Sequence, residues 1–194
     1  ASDGGEAEKK EGGASSSSPA PAAEEDAAMT APAAASESDA ELWCADWICE
    51  DEQNLKEFCK ALGAPSAVAS IPAKLLANPR FKIEVNADKT RWIHSPIVKG
   101  AAEDIVNVYI LGQETKGKSQ REEDSILSIE KISDKVYKQR MDSKTFIGTR
   151  VVTYIERTLL PNGKLQSRFW VEGKEDAVRT TIHHQGTALP VLAD

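Results

Sequence analysis

No leucine, isoleucine, valine or aromatic residue occurs in the first 41 positions, which are almost entirely Ala, Ser, Gly, Pro, Glu and Asp. Such a segment buries too little apolar surface to offset the entropy of ordering it, so residues 1–41 are expected to be a disordered acidic extension. It lacks the continuous apolar core of a secretory signal, and it is acidic where a transit peptide would be Arg-rich and poor in acids. Nowhere in the chain does an apolar run approach the length of a membrane-spanning helix. Cysteine is scarce: Cys44, Cys49 and Cys59 are an odd number and cannot all pair within one chain. Free thiols fit a reducing compartment, and a cytoplasmic location is expected.

An excess of basic charge is missing as well. The first 41 residues carry two basic and ten acidic side chains, a charge of −8, against 22 basic and 21 acidic in the remainder. The overall −7 therefore belongs to the extension, and the near-neutral remainder is not a general nucleic-acid binder. No Ser-His-Asp arrangement, glycine-rich phosphate loop or paired-acid motif stands out, so catalysis has no support and no cofactor is expected. His183 and His184 are neighbours on a strand and point opposite ways. With His94 they form none of the usual ligand spacings, so no metal site is expected and structural or surface roles are assigned to all three.

What is present from Leu42 onward is a series of short alternating segments divided by turn signals. LWCADWICE places Trp43, Ala45, Trp47 and Cys49 on one side. RFKIEV, TRWIHSP, IVNVYILG, SILSIEKI, KVYKQRM, TFIGTRVVTYIERTL, KLQSRFWVE and AVRTTIHH follow, with TKGKSQREED, DSK and PNGK among the separators. Gly148 is expected to divide the longest segment, giving about ten strands with no room for repeated βαβ crossovers. A run of short antiparallel neighbours avoids free edges most simply by closing into an up-and-down barrel.

One stretch breaks the pattern. In NLKEFCKALG, Leu55, Phe58, Cys59 and Leu62 form a single apolar stripe at helical spacing, with Gly63 where a left-handed cap would end the helix. A second short helix is expected around 67–77, starting near Ser70 so that Pro72 falls in its first turn. A helix-turn-helix inserted after the first strand can cover the mouth of a barrel as a lid. Phe58, Val68, Ile71 and Leu75 are the portal residues of this reading.

Several motifs in order, from about Leu42 to His183, resemble the intracellular fatty-acid-binding protein family, which includes the cellular retinoid-binding proteins. Trp47, Asn54 and the KALG of Lys60–Gly63 stand at that family's spacing. NPRFKIEVNAD resembles its second strand and turn, ILGQE its "L-G-x-E", and ERTLLPNGKL its late hairpin. The resemblance implies an all-β calycin-like barrel with a helical lid over residues 42–184, followed by a C-terminal tail at 185–194. It implies a non-catalytic intracellular carrier for a long-chain fatty acid or a retinoid-like ligand, monomeric, with transient membrane contact through the lid. It maps the ligand carboxylate onto Arg157 and Arg179, with Thr181 where the family has a tyrosine and Ile155, Ser167 and Phe169 on the wall. Guanidinium suits the task because it stays charged and grips both carboxylate oxygens. The missing tyrosine and the unusual extension leave a second reading open: a barrel serving as a structural or protein-interaction module, or one that takes a neutral hydrophobic ligand such as a pigment.

Overall fold

In a computed structural model, residues 38–67, 69–97, 105–118, 124–145 and 148–193 are described. A turn of helix, α1 (Ser38–Glu41), precedes β1 (Ala45–Gln53), α2 (Leu55–Ala61) and α3 (Ser70–Leu76). Nine strands follow: β2 (Arg80–Val85), β3 (Arg91–Ile97), β4 (Asn107–Ile110), β5 (Thr115–Lys118), β6 (Asp124–Ser133), β7 (Val136–Lys144), β8 (Arg150–Leu159), β9 (Leu165–Val171) and β10 (Lys174–Ala188). Each pairs antiparallel with its neighbours in the order β4-β3-β2-β1-β10-β9-β8-β7-β6-β5. The expected up-and-down barrel with a lid after the first strand is therefore the observed fold.

Among the described residues, only the seam between β4 and β5 lacks a strand ladder, and side chains staple it. Thr115 Oγ1 donates to the Val108 carbonyl at 2.6 Å, and Asn107 Oδ1 accepts from the Lys118 amide at 3.0 Å. Ten strands were expected, but their membership differs by one. TKGK, read as part of a separator, is β5; its inward positions are Thr115 and Gly117, too small to show as apolar alternation. Gly148, expected to divide the longest segment, lies between β7 and β8, and Phe146 and Ile147 fall outside the described residues. Gly148 sits there at φ 85°, and its amide donates to the Thr145 carbonyl at 2.9 Å. The separator DSK at 142–144 belongs to β7.

Both ends of the folded unit reach further than the sequence suggests. Ala40 of α1 is fully buried, ahead of the expected start at Leu42. At the other end, β10 continues to Ala188, with Gln185 opposite Trp47 and Ala188 opposite Ala45, and the Leu189 and Leu192 amides donate to the Cys44 and Val85 carbonyls, so the segment expected as a tail packs on the barrel as far as Leu192.

One end of the barrel is closed by aromatic packing. Trp43 meets Trp92 edge-on at 5.0 Å and Tyr137 at 5.4 Å, and the Trp47 indole nitrogen donates to the Trp43 carbonyl at 3.1 Å. Trp170, by contrast, lies on the outer face, stacked on Tyr154 at 5.5 Å. The lid covers the opposite end, where β1 leads into α2. Gly63 ends α2 at φ 100°, its amide bonding to the Lys60 carbonyl and the Ala64 amide to that of Cys59, a paired closure that favours glycine at this position. The second helix starts at Ser70 as expected. The portal positions Val68, Ile71 and Leu75 lie outside the described residues and side chains. No helix among the described residues is long and apolar enough to cross a membrane.

Candidate functional site

Strand alternation points Ile155 and Arg157 of β8, Ser167 and Phe169 of β9, and Arg179, Thr181 and His183 of β10 to the inside. Register places Arg157 opposite Ser167, and Ser167 opposite Thr181, in one layer across three strands. Ile155, Phe169 and Arg179 form the next layer toward the lid. All six site residues expected from the sequence therefore share the interior wall. Tyr154, one residue out of phase, faces outward and donates its hydroxyl to Glu172 at 2.9 Å.

Arg157 is almost fully buried, at 1% exposure. Its Nε donates to Gln139 Oε1 at 2.9 Å and its Nη1 to Ser167 Oγ at 2.9 Å. Nη2 lies 3.0 Å from His94 Nε2, and the guanidinium carbon sits 4.3 Å from the centre of the Phe81 ring. Every partner is neutral; among the described residues no carboxylate pairs with this cation. Burial pulls its pKa down to about 10, which leaves it protonated at neutral pH. The Tyr109 hydroxyl, within electrostatic reach of Arg157, is buried without a hydrogen-bond partner among the described residues, and burial pushes its pKa up to about 12. Buried charge and buried hydroxyls without partners are costly.

Arg179 is differently situated. Its Nε donates to Glu52 Oε1 at 2.8 Å, its Nη2 makes a second bond to the same oxygen, and Nη2 also reaches the Leu76 carbonyl at 2.9 Å. The pair is buried, with side-chain exposures of 5% and 11%. The guanidinium also packs on Phe169 at 4.9 Å and faces Phe58 of the lid at 5.9 Å. Thr181 is fully buried, and its hydroxyl is 3.5 Å from the Ser167 carbonyl.

The structure adds interior residues that were not singled out as site residues. His94 had been assigned a structural or surface role, yet it touches Arg157; the signal was its place two residues after the core Trp92 on the same strand face. His183 is fully buried against Phe81 at 4.7 Å, and burial holds its pKa down to about 3. The His94 pKa also lies well below the usual value, first from burial and then from the adjacent Arg157 charge. Glu52 had no legible signal. Strict alternation from Trp47 and Cys49 sends it outward, but a bulge at Glu50 shifts the register so that Glu52 faces Thr181 inside.

The lid rests on this wall. Phe58 meets Phe169 at 6.1 Å and packs with Ala61 and Val171. At its start the Asn54 side chain donates to the Val178 carbonyl at 3.2 Å, and at its end Lys174 Nζ donates to the Ala61 carbonyl at 2.7 Å. Among the described residues no group of three or more His, Cys, Asp or Glu side chains could hold a metal.

The chain is a ten-stranded antiparallel barrel with two helices after its first strand, and two arginines lie buried in its interior. Solved structures bear out that fold. A Schistosoma mansoni fatty acid binding protein, in complex with arachidonic acid, superposes with a TM-score of 0.58 at 12% identity, covering 77% of this chain and 99% of that one. Echinococcus granulosus fatty-acid-binding protein 1 gives 0.56 at 18% identity, covering 76% and 99%. The wild-type fluorescent protein UnaG gives 0.56 at 17% identity, covering 75% and 98%. No protein-family model and no curated protein sequence matches the chain.

Proposed function

We propose that the chain is a non-catalytic carrier that encloses a long hydrophobic molecule carrying one carboxylate, a fatty acid or a retinoid-like acid. The observation that carries this reading is Arg157, a buried guanidinium whose described partners are all neutral. A ligand carboxylate at this layer supplies the missing counter-charge and gives the Tyr109 hydroxyl an acceptor, and Ser167 and Thr181 line the same layer. Ile155 and Phe169 form apolar wall beside it, and Phe58, with Val68, Ile71 and Leu75, belongs to the portal. Arg179 lies in the next layer toward the lid, bonded to Glu52 and not offered to the ligand carboxylate. The carrier acts in the cytoplasm as a monomer, and the lid makes transient membrane contact during loading.

The test is calorimetric titration of the barrel with oleate and with methyl oleate, before and after Arg157→Ala. Saturable micromolar binding of oleate is expected. Arg157→Ala should weaken oleate by about 1.5–3 kcal/mol, the scale of a lost charge-assisted bond, and leave the ester nearly unchanged. Equal weakening of both ligands removes carboxylate recognition from the reading; absence of saturable binding by the intact protein removes the carrier itself.

A further inference from the structure

Glu52 is an acidic side chain inside a barrel whose other buried site charge is arginine. Its Oε1 takes two charge-assisted bonds from Arg179, and its Oε2 lies 3.2 Å from the Asn78 amide, just past the end of α3. Both oxygens are therefore engaged, and the pair sits between the wall and the second lid helix, whose Leu76 carbonyl accepts from the same guanidinium. Two phenylalanine rings shield it from water. The bulge at Glu50 is what brings this carboxylate inside.

We propose that Glu52 serves as a resident carboxylate for Arg179, leaving Arg157 as the interior arginine that still takes an anion and restricting the ligand to one anionic group. The inference rests on the carrier reading and sharpens its ligand class. Arg157 has three of its five N–H donors engaged, all with neutral partners, so it can still receive an anion. Arg179 has as many donors engaged, but two of its bonds go to a carboxylate, so its charge is already met by Glu52. A second ligand carboxylate approaching it meets a like charge in a poorly solvated site, where repulsion is strong. A molecule with acids at both ends is therefore rejected by the same chain that accepts its monoacid.

The experiment is calorimetric binding of dodecanoate, dodecanedioate and dodecanol to the full chain and to Glu52→Gln, with circular dichroism confirming the fold. The intact protein should bind dodecanoate at least tenfold more tightly than dodecanedioate. Glu52→Gln should raise dodecanedioate affinity tenfold or more while changing dodecanoate less than threefold. That gain should vanish in the double variant Glu52→Gln/Arg179→Met. If Glu52 is only a clamp for the lid, Glu52→Gln lowers the melting temperature and leaves the ratio of the two acids unchanged, which overturns the proposal. So does an equal gain for both acids. Should Glu52→Gln fail to fold, the intact protein decides: equal affinity for the monoacid and the diacid overturns the assignment. Failure of the intact protein to bind dodecanoate or oleate overturns the carrier reading itself. Binding of dodecanoate through Arg157, with no effect of Glu52, removes only the role given to Glu52.

Discussion

The His94 imidazole accepts a hydrogen bond from the Arg157 guanidinium across 3.0 Å. Arginine has donors and no acceptor, so His94 Nε2 must be unprotonated and the ring neutral, with its proton on Nδ1. Burial and the neighbouring positive charge hold it in that state. His183, on the far side of Phe81, is held neutral by burial in the same way.

The first prediction concerns acid stability. With folded-state pKa values below the ordinary 6.5, both histidines contribute stability that is complete above about pH 6.5 and is lost as pH falls toward the depressed values. For His183 the loss should be roughly 2 kcal/mol at pH 5, since there the unfolded chain alone takes up the proton. Urea denaturation between pH 8 and pH 5 measures it. His183→Gln should flatten the slope by about one proton; an unchanged slope would show that His183 is not the group responsible.

Phe58 links the lid to the wall through Phe169 and faces the Arg179 cation. Phe58→Ala should speed both uptake and release of a bound fatty acid several-fold while changing the equilibrium constant less, because a loosened lid lowers the barrier in both directions. Stopped-flow fluorescence reads the two rates. A change confined to release would mean that Phe58 contacts the ligand and is not chiefly a gate.

Hydrogen exchange should rank the same elements. The α2–α3 segment is held by a few tertiary bonds, among them Asn54 to Val178, Lys174 to Ala61 and Arg179 to Leu76. The β7–β8 ladder, by contrast, runs unbroken from Val136 opposite Thr158 to Lys144 opposite Arg150. Amides at 55–62 should exchange faster than those at 137–141, and oleate should slow the former. Equal protection in the two regions would count against a lid that opens separately from the barrel.

Gly117 governs the seam. A Cβ placed there would lie 2.2 Å from Leu127 Cδ1 and 2.5 Å from Asn107 Oδ1, the atom that accepts from Lys118 across the gap. Gly117→Ala should therefore cost about 1–3 kcal/mol by overpacking, with the loss of protection concentrated at 107–110 and 115–118. Thermal melting and exchange together check this, and a neutral substitution would mean that the seam yields freely.

The barrel itself was legible in local pattern. Period-two alternation from RFKIEV to AVRTTIHH, the turn signals between segments and the helical stripe of NLKEFCKALG each constrain the chain within a few residues. Alternation fixed only which residues share a face, because each strand carries its own parity, and it was the family resemblance that turned Arg157, Ser167, Arg179 and Thr181 inward. One local feature escaped it: β5, whose inward residues are a threonine and a glycine. What the arginines touch is a matter of long-range pairing. His94 reaches Arg157 from 63 residues away and Glu52 reaches Arg179 from 127 away, both through strand register. In the second case the register depends on a single-residue bulge that no periodicity announces. Whether a buried guanidinium is free or already paired was therefore settled only in three dimensions, since one residue of slip exchanges the inside of a strand for its outside.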